Sequence, residues 1–303
     1  FLFFLYSSGY KKHYGHELEL MNERLNGREP YDLLYLGSSR MCHQLNPQIT
    51  DAITGLRSFN AGLDGIKLTE MNVILECYLQ THKTPEMVVI DLPPQSFNSH
   101  LFPFFNQTLY YPFLDNEIVF NNLKGHRPVG LFRHFPFFQF TEANDEMRQR
   151  SMSGLFGHRY SEPGSHYNGF NPPPDDTIGF PFKQLKGQNA PITEEGIGFL
   201  KRTIALCKAR GILLMIIYPP AYKALDLELN PHFYSTAKKI ADVDGVRIND
   251  YRNVFLKDDH RFFRDQTHLN KLGSDIFSRL VAQDIQDYLF ENQRADQQSL
   301  SIK

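Results

Sequence analysis

Runs of consecutive apolar residues alternate along the chain with stretches in which apolar positions recur every three or four residues. Tyr31–Leu36, Met87–Leu92 and Ile212–Tyr218 are nearly unbroken, the pattern of strands buried on both faces of a parallel sheet. Shorter runs at Ser58–Ala61 and Val246–Asn249 predict two more strands. Helical spacing falls around and between them: Leu18, Met21 and Leu25 within His16–Leu25, then Ile66–Thr81, Thr193–Ala209, Phe233–Ala241 and Leu272–Leu289. Gly27 with Pro30, Pro93 with Pro94, Gly211, and Pro219 with Pro220 punctuate the ends. Strands separated by helices pair in parallel through right-handed crossovers. The predicted fold class is therefore α/β, a three-layer α/β/α sandwich with functional groups at the C-terminal ends of its strands.

One block breaks the alternation. Phe97–Phe140 holds 13 aromatic residues in 44 positions, about twice the chain average, and follows neither period. Gly- and Pro-rich sequence follows from Gly154 to Phe182, so residues 98–190 read as an insertion that caps or flanks the active edge of the sheet. Its rings either form a satellite core or offer a ligand a stacking platform. Residues 1–30 make a lead-in and helix, 31–290 the α/β domain with its insertion, and 291–303 a loose polar tail. The opening Phe1–Tyr6 reads either as the stump of a membrane anchor or signal helix lying upstream of residue 1, or as a short apolar segment docked on the domain.

Composition narrows the function classes. With 41% hydrophobic residues, 303 positions can bury a substantial core, and 32 basic against 34 acidic side chains supply no footprint for a nucleic-acid backbone. No apolar run approaches the roughly 18 to 20 residues that cross a bilayer. Cys42, Cys77 and Cys207 lack C-x-x-C spacing, and His126, His134, His158 and His166 lack metal-ligand spacing. Neither a disulfide framework nor a metal or other cofactor is expected.

The candidate chemistry gathers at strand ends. Gly37-Ser38-Ser39-Arg40 follows the first strand, where a sharp turn leaves a hydroxyl and a backbone N–H at a strand-to-helix junction. The same residues also suit a plain turn or helix cap. Asn60-Ala61-Gly62-Leu63-Asp64-Gly65 follows the second strand with two glycines that let backbone amides approach an oxyanion. Asp265-Gln266-Thr267-His268 precedes the last helix, and an Asp three residues before a His can fold its carboxylate onto the imidazole. Arg40 either binds an anionic substrate group or pairs with a nearby carboxylate. His43, Asp259 and His260 fall near these segments, either as supporting side chains or, more in keeping with their type, as satisfied surface residues.

Taken in order, Gly37-Ser38-Ser39, Asn60 to Gly65, a strand ending at Pro93 and Asp265 to His268 resemble the sequence blocks of the SGNH hydrolase superfamily, the GDSL-type lipases and esterases, over residues 31–289. The resemblance implies a flavodoxin-like sandwich and a Ser–His–Asp hydrolytic site. Ser39 would be the nucleophile, His268 the general base and later acid, and Asp265 its orienting partner, with the N–H groups of Ser39 and Gly65 in the oxyanion hole. Asn60 and Arg40 are candidate substrate contacts. Ser38 stands where the family has Asp, so two adjacent hydroxyls compete, and register on Gly37 favours Ser39. Where the family has Gly-x-Asn-Asp, this chain has Pro93-Pro94-Gln95-Ser96, which makes Gln95 the candidate third oxyanion donor on a longer, less rigid side chain.

Within the superfamily, the Gly-Ser-Ser-Arg variant and the aromatic insertion look more like bacterial envelope proteins that acylate or deacylate surface polymers, of the alginate-acetylation and teichoic-acid D-alanylation type. Two functions are expected to compete. One is a serine-dependent ester hydrolase or O-acyltransferase acting on a small acyl ester or acylated polysaccharide, extracytoplasmic or membrane-anchored in a bacterium. The other is a catalytically idle envelope protein that binds polysaccharide through the insertion.

Overall fold

Leu33, Leu34, Tyr35 and Leu36 are all fully buried because their strand is covered on both faces. The two-residue period of a strand divides them. Leu33 and Tyr35 join Met87, Val89, Met215 and Ile217 in one apolar cluster, while Leu34 and Leu36 join Val88, Ile90, Leu214 and Ile216 in a second on the opposite face. The computed structural model describes every residue except 1, 28, 82, 98–103, 126–127, 142–144, 160–166, 176–190, 225–230 and 302–303.

The sheet contains β1 (Leu33–Leu36), β2 (Ser58–Asn60), β3 (Met87–Asp91), β4 (Leu213–Tyr218) and β5 (Arg247–Asp250). Its order is β2-β1-β3-β4-β5, and every pairing is parallel. This is the doubly wound, flavodoxin-like arrangement, in which the direction of winding reverses between β1 and β3. A ligand crevice is expected outside the C-terminal ends of those two strands.

The helices are α1 (Leu2–Asn26), α2 (Ser39–Gln44), α3 (Pro47–Thr54), α4 (Leu68–Thr81), α5 (Glu117–Leu123), α6 (Val129–His134), α7 (Asp145–Leu155), α8 (Glu194–Ala209), α9 (Pro231–Asp244) and α10 (Lys271–Ser301). Phe277, Val281 and Ile285 of α10, with Met41 of α2, cover the face that carries Leu33. Helices α1, α4, α8 and α9 cover the other. Helices α2 and α3 are too short to show a period in the sequence. Local chemistry sets α3 instead: the Asn46 side chain accepts from Gln48 N at 3.0 Å, Pro47 opens the first turn and Gly55 ends the helix in a left-handed conformation.

The tail expected to be loose is helical. Helix α10 runs on through Ser301, because residues 291–300 are mostly Glu, Gln, Ala and Arg with neither Gly nor Pro to stop them. In the insertion, α5, α6 and α7 are interspersed with 3₁₀ turns at Gln107–Leu109, Tyr111–Phe113 and Pro136–Phe140. Elements that short turn rings inward without a repeating period. Phe104, Tyr110, Tyr111, Phe132 and Phe140 are buried with Tyr10 and Tyr14 of α1 in the larger cluster, whereas Phe105, Phe135, Phe137, Phe138 and Phe156 stay exposed. At the start of α1, Phe3 meets Phe140 edge-on at 5.9 Å and Tyr6 stacks on it at 6.1 Å. Among the described residues, no helix is long and apolar enough to cross a membrane.

One buried acid ties this block to the sheet layer. Glu70, in the first turn of α4, is fully buried, and its Oε2 accepts from Lys67 N at 3.2 Å and from Phe105 N at 3.1 Å. Burial pushes its pKa up to about 8, against those donors. The folded chain thus holds a proton that the unfolded chain releases above the ordinary carboxylate range. Stability present at low pH is lost as pH rises toward the folded value. The melting temperature of the parent is expected to fall between about pH 5 and about pH 9, with a shallower fall in Glu70→Gln, whose amide oxygen still accepts both N–H groups. Equal slopes by calorimetry would show that Glu70 is not the group responsible.

Candidate active site

Gly37 ends β1 where no side chain fits: a Cβ on it would lie 2.6 Å from Met41 Cβ and 2.8 Å from Asp91 Cβ. The chain turns there into α2, which begins at Ser39. Of the two adjacent hydroxyls, Ser38 faces inward. Its Oγ donates to Asp91 Oδ2 at 3.1 Å, and Arg40 Nη2 donates to Asp91 Oδ1 at 3.1 Å, with all three residues buried. Arg40 is therefore not a substrate contact. Its guanidinium is held beneath the turn by the carboxylate that ends β3, a partner the sequence signals only as a charge at the close of an apolar run.

Ser39 points the other way. Its Oγ lies 2.7 Å from Nε2 of His268, a residue 229 positions later. On the far side of the ring, His268 Nδ1 lies 2.9 Å from Asp265 Oδ2 and 3.0 Å from Oδ1. Donation from Nδ1–H to the carboxylate leaves Nε2 free to accept from the Ser39 hydroxyl. The Asp265 carboxylate also takes Thr267 N at 2.8 Å, His268 N at 2.9 Å and Thr267 Oγ1 at 3.1 Å. Burial alone would raise the Asp265 pKa, but the hydrogen bond and charge of His268 and the Thr267 donors outweigh it and hold the acid well below the usual carboxylate range. It stays ionised wherever His268 can work as a base.

The loop after β2 forms the facing wall. Gly65 has φ +71°, in the left-handed region that only glycine enters freely. The backbone N–H groups of Gly65 and Ser39 have no acceptor among the described residues, the latter because the first turn of a helix offers none. Asn60 does not reach this space. It is fully buried, its Nδ2 donating to Met41 O and Leu45 O at 2.8 Å each while its Oδ1 accepts from Gly62 N at 3.0 Å. Asn60 fastens β2 to α2 and is corrected from substrate contact to internal brace. Arg24 of α1 adds a second brace, donating to Ala61 O at 3.3 Å and Gly62 O at 2.8 Å. Gln95 falls in a 3₁₀ turn, Pro94–Phe97, directly after β3, and its side chain lies outside the described residues.

Ser39, Asp265 and His268 open onto a cleft of about 210 Å³ whose other walls are His43, Asp64, Pro173, Arg264 and Leu269. His43 stands one helical turn after Ser39. Its Nε2 lies 2.8 Å from Asp64 Oδ1 and its Nδ1 lies 2.8 Å from Asn171 O. Both partners accept, so the imidazolium form, with hydrogen on both ring nitrogens, satisfies both contacts. Burial opposes that charge, but the Asp64 carboxylate and the Asn171 carbonyl prevail and raise the His43 pKa. This pair joins α2, the β2 loop and the segment of the insertion that carries Pro173.

Cys42, His43 and Asp64 are the one group of metal-ligating side chains found among the described residues, with ligand atoms within 4.8 Å of one another. Burial raises the Cys42 thiol pKa and both His43 nitrogens are already bonded, so the set is engaged in protein contacts. His134 and His158 do not line the cleft, and His126 and His166 lie outside the described residues. Sequence reasoning missed Asp91, Thr267, Asp64 as a partner of His43, and Arg264. Thr267, Asp64 and Arg264 carried a signal, by lying inside segments already singled out or directly beside them, and Asp91 only as a charge closing an apolar run.

A parallel sheet in this order, a serine just after its first strand and an Asp-x-x-His turn before its last helix are the arrangement that the sequence resemblance implied. No protein-family model matches the chain, and no curated protein does. Solved structures do. One is a lipolytic protein of the G-D-S-L family from Desulfitobacterium hafniense, at 8% identity and a TM-score of 0.43, covering 83% of this chain and 97% of that one. A second is an acetyl xylan esterase at 14% identity and TM-score 0.43, with 84% and 98% covered. A third is an acetylxylan esterase from Geobacillus stearothermophilus at 12% identity and TM-score 0.42, with 84% and 94% covered. At such identities the likeness concerns the fold alone.

Proposed function

We propose that this protein is a serine-dependent ester hydrolase that removes small acyl groups from carbohydrate. The observation that carries the reading is the chain of contacts from Ser39 Oγ through His268 to Asp265, standing at the crevice where the winding of the sheet reverses. In the first step Ser39 Oγ bonds to the ester carbonyl carbon while its proton passes to His268 Nε2. The Ser39 and Gly65 N–H groups, which have no acceptor among the described residues, are the donors this reading assigns to the resulting oxyanion. Collapse expels the sugar alkoxide, which takes the proton from His268 and leaves an acyl-Ser39. Water, activated by the same imidazole, then releases the carboxylic acid. A sugar hydroxyl in place of water makes the enzyme an O-acyltransferase, since acceptor choice depends on how well the cleft excludes water.

The size of the cleft and its mostly polar walls suit an acetyl-sized group on a hydroxylated partner better than a long acyl chain. The sequence resemblance to envelope acylation proteins supports an extracytoplasmic place of action. A second reading has one observation in its favour: Pro93-Pro94-Gln95 replaces the family's Asn segment, and losing one oxyanion donor costs on the order of a hundredfold to a thousandfold in rate. That reading is an idle polysaccharide binder. A fluorophosphonate, which reacts with an activated serine hydroxyl, separates the two. A single covalent adduct mapped to Ser39 by mass spectrometry is expected, and an unlabelled chain would favour the binder.

A further inference from the structure

Arg264 precedes Asp265 in the turn that carries the imidazole. Its backbone N–H donates to His268 O at 2.9 Å, so the residue is fixed to the same turn as the reacting ring. Its half-buried side chain lines the cleft beside Ser39 and His268. The other charges in that wall are spoken for. Asp265 is bound to His268, and Asp64 is bound to His43. Arg264 differs: no carboxylate among the described residues pairs with its guanidinium, unlike Arg40, Arg252 and Arg261, which all hold an aspartate. Its charge is felt across the cleft, since it opposes the protonation of His43. Beside the Asp265–His268 and Asp64–His43 contacts the cleft thus holds one guanidinium that no carboxylate among the described residues engages, a planar set of N–H donors suited to a carboxylate or phosphate.

We propose that Arg264 is a specificity-determining residue whose guanidinium binds a carboxylate or phosphate group on the acylated carbohydrate. The proposal rests on the hydrolase reading for its substrate but not for its binding. The neutral acyl ester sits at Ser39, while the anionic group, carried elsewhere on the same sugar unit, bonds to Arg264. Arg40, the arginine the sequence offered for this task, is buried beneath the nucleophile turn and unavailable.

Three O-acetylated methyl glycosides test it: a glucoside, a glucuronide and a glucoside 6-phosphate. The ratio of kcat/KM for each anionic ester to that for the neutral one is expected to exceed unity by roughly tenfold to a hundredfold, the range for a hydrogen bond to a charged group. Arg264→Ala should collapse that ratio toward one through KM, and Arg264→Lys should keep part of it. The glucuronide and phosphate arms tell the two anions apart. A parent that prefers the neutral ester, or a ratio that survives in Arg264→Ala, would overturn the proposal. Should no ester be hydrolysed, the hydrolase reading fails instead. Titrating glucuronate, glucose 6-phosphate and glucose into the parent and Arg264→Ala then still decides the matter, with tighter binding of an anion to the parent expected and equal binding overturning it.

Discussion

Ser39→Ala is expected to lower the hydrolysis of p-nitrophenyl acetate by on the order of 10⁴-fold or more, because nothing else in the cleft wall can take over as nucleophile at that position. Ser38, the neighbouring hydroxyl, is turned inward to Asp91 and cannot substitute. His268→Ala should do comparable damage, and the double variant should be little worse than either single one, since hydroxyl and imidazole act as one unit. Asp265→Asn tests the third member. It keeps the shape of the turn but turns a pure acceptor into a group that can hold the ring in the wrong tautomer, a change worth about 10⁴ in kcat in such sites. Steady-state rates across these variants separate the readings. If Ser39→Ala matches the parent, esterase chemistry at this serine is excluded and the polysaccharide-binding alternative stands.

Asp91→Ala should produce the largest loss of stability. Asp91 is fully buried and accepts from both the Ser38 hydroxyl and the Arg40 guanidinium, itself 5% exposed. Removing the carboxylate leaves the arginine buried without that counter-charge, and breaking a buried pair from one side costs about 3–5 kcal/mol. Asp91→Asn should cost less, because an amide oxygen still accepts one of the two hydrogen bonds. Urea unfolding measures both, and a shift under about 1 kcal/mol for Asp91→Ala would show that the pair contributes little. The same variants should lose activity as well, since the pair holds the turn from which Ser39 projects.

The strands were legible because burial on both faces demands continuous apolar sequence, and Leu33–Leu36, Met87–Asp91 and Leu213–Tyr218 all lie within such runs. Ser39, Asp265 and His268 were legible because a hydroxyl after a strand and an Asp-x-x-His spacing are local signals. What a side chain does when turned inward is not local. Arg40 and Asn60 have the composition of substrate contacts, and only the surrounding burial shows them to be internal braces. Asp91 is half of the first brace, yet it is separated from Arg40 by 51 positions and marked by no motif. The aromatic block hid its short helices because a six- or seven-residue helix shows too few turns to establish a period.

On the proposed reading, the 229 residues between Ser39 and His268 would make catalysis a report on completed folding. The hydroxyl belongs to the connection after β1, and the ring beside it arrives only with the turn before α10. A growing polypeptide that has not yet reached that turn would hold the Ser39 alcohol without its imidazole partner. A product truncated before Asp265 would carry all five strands of the sheet and, on the proposed reading, remain inert.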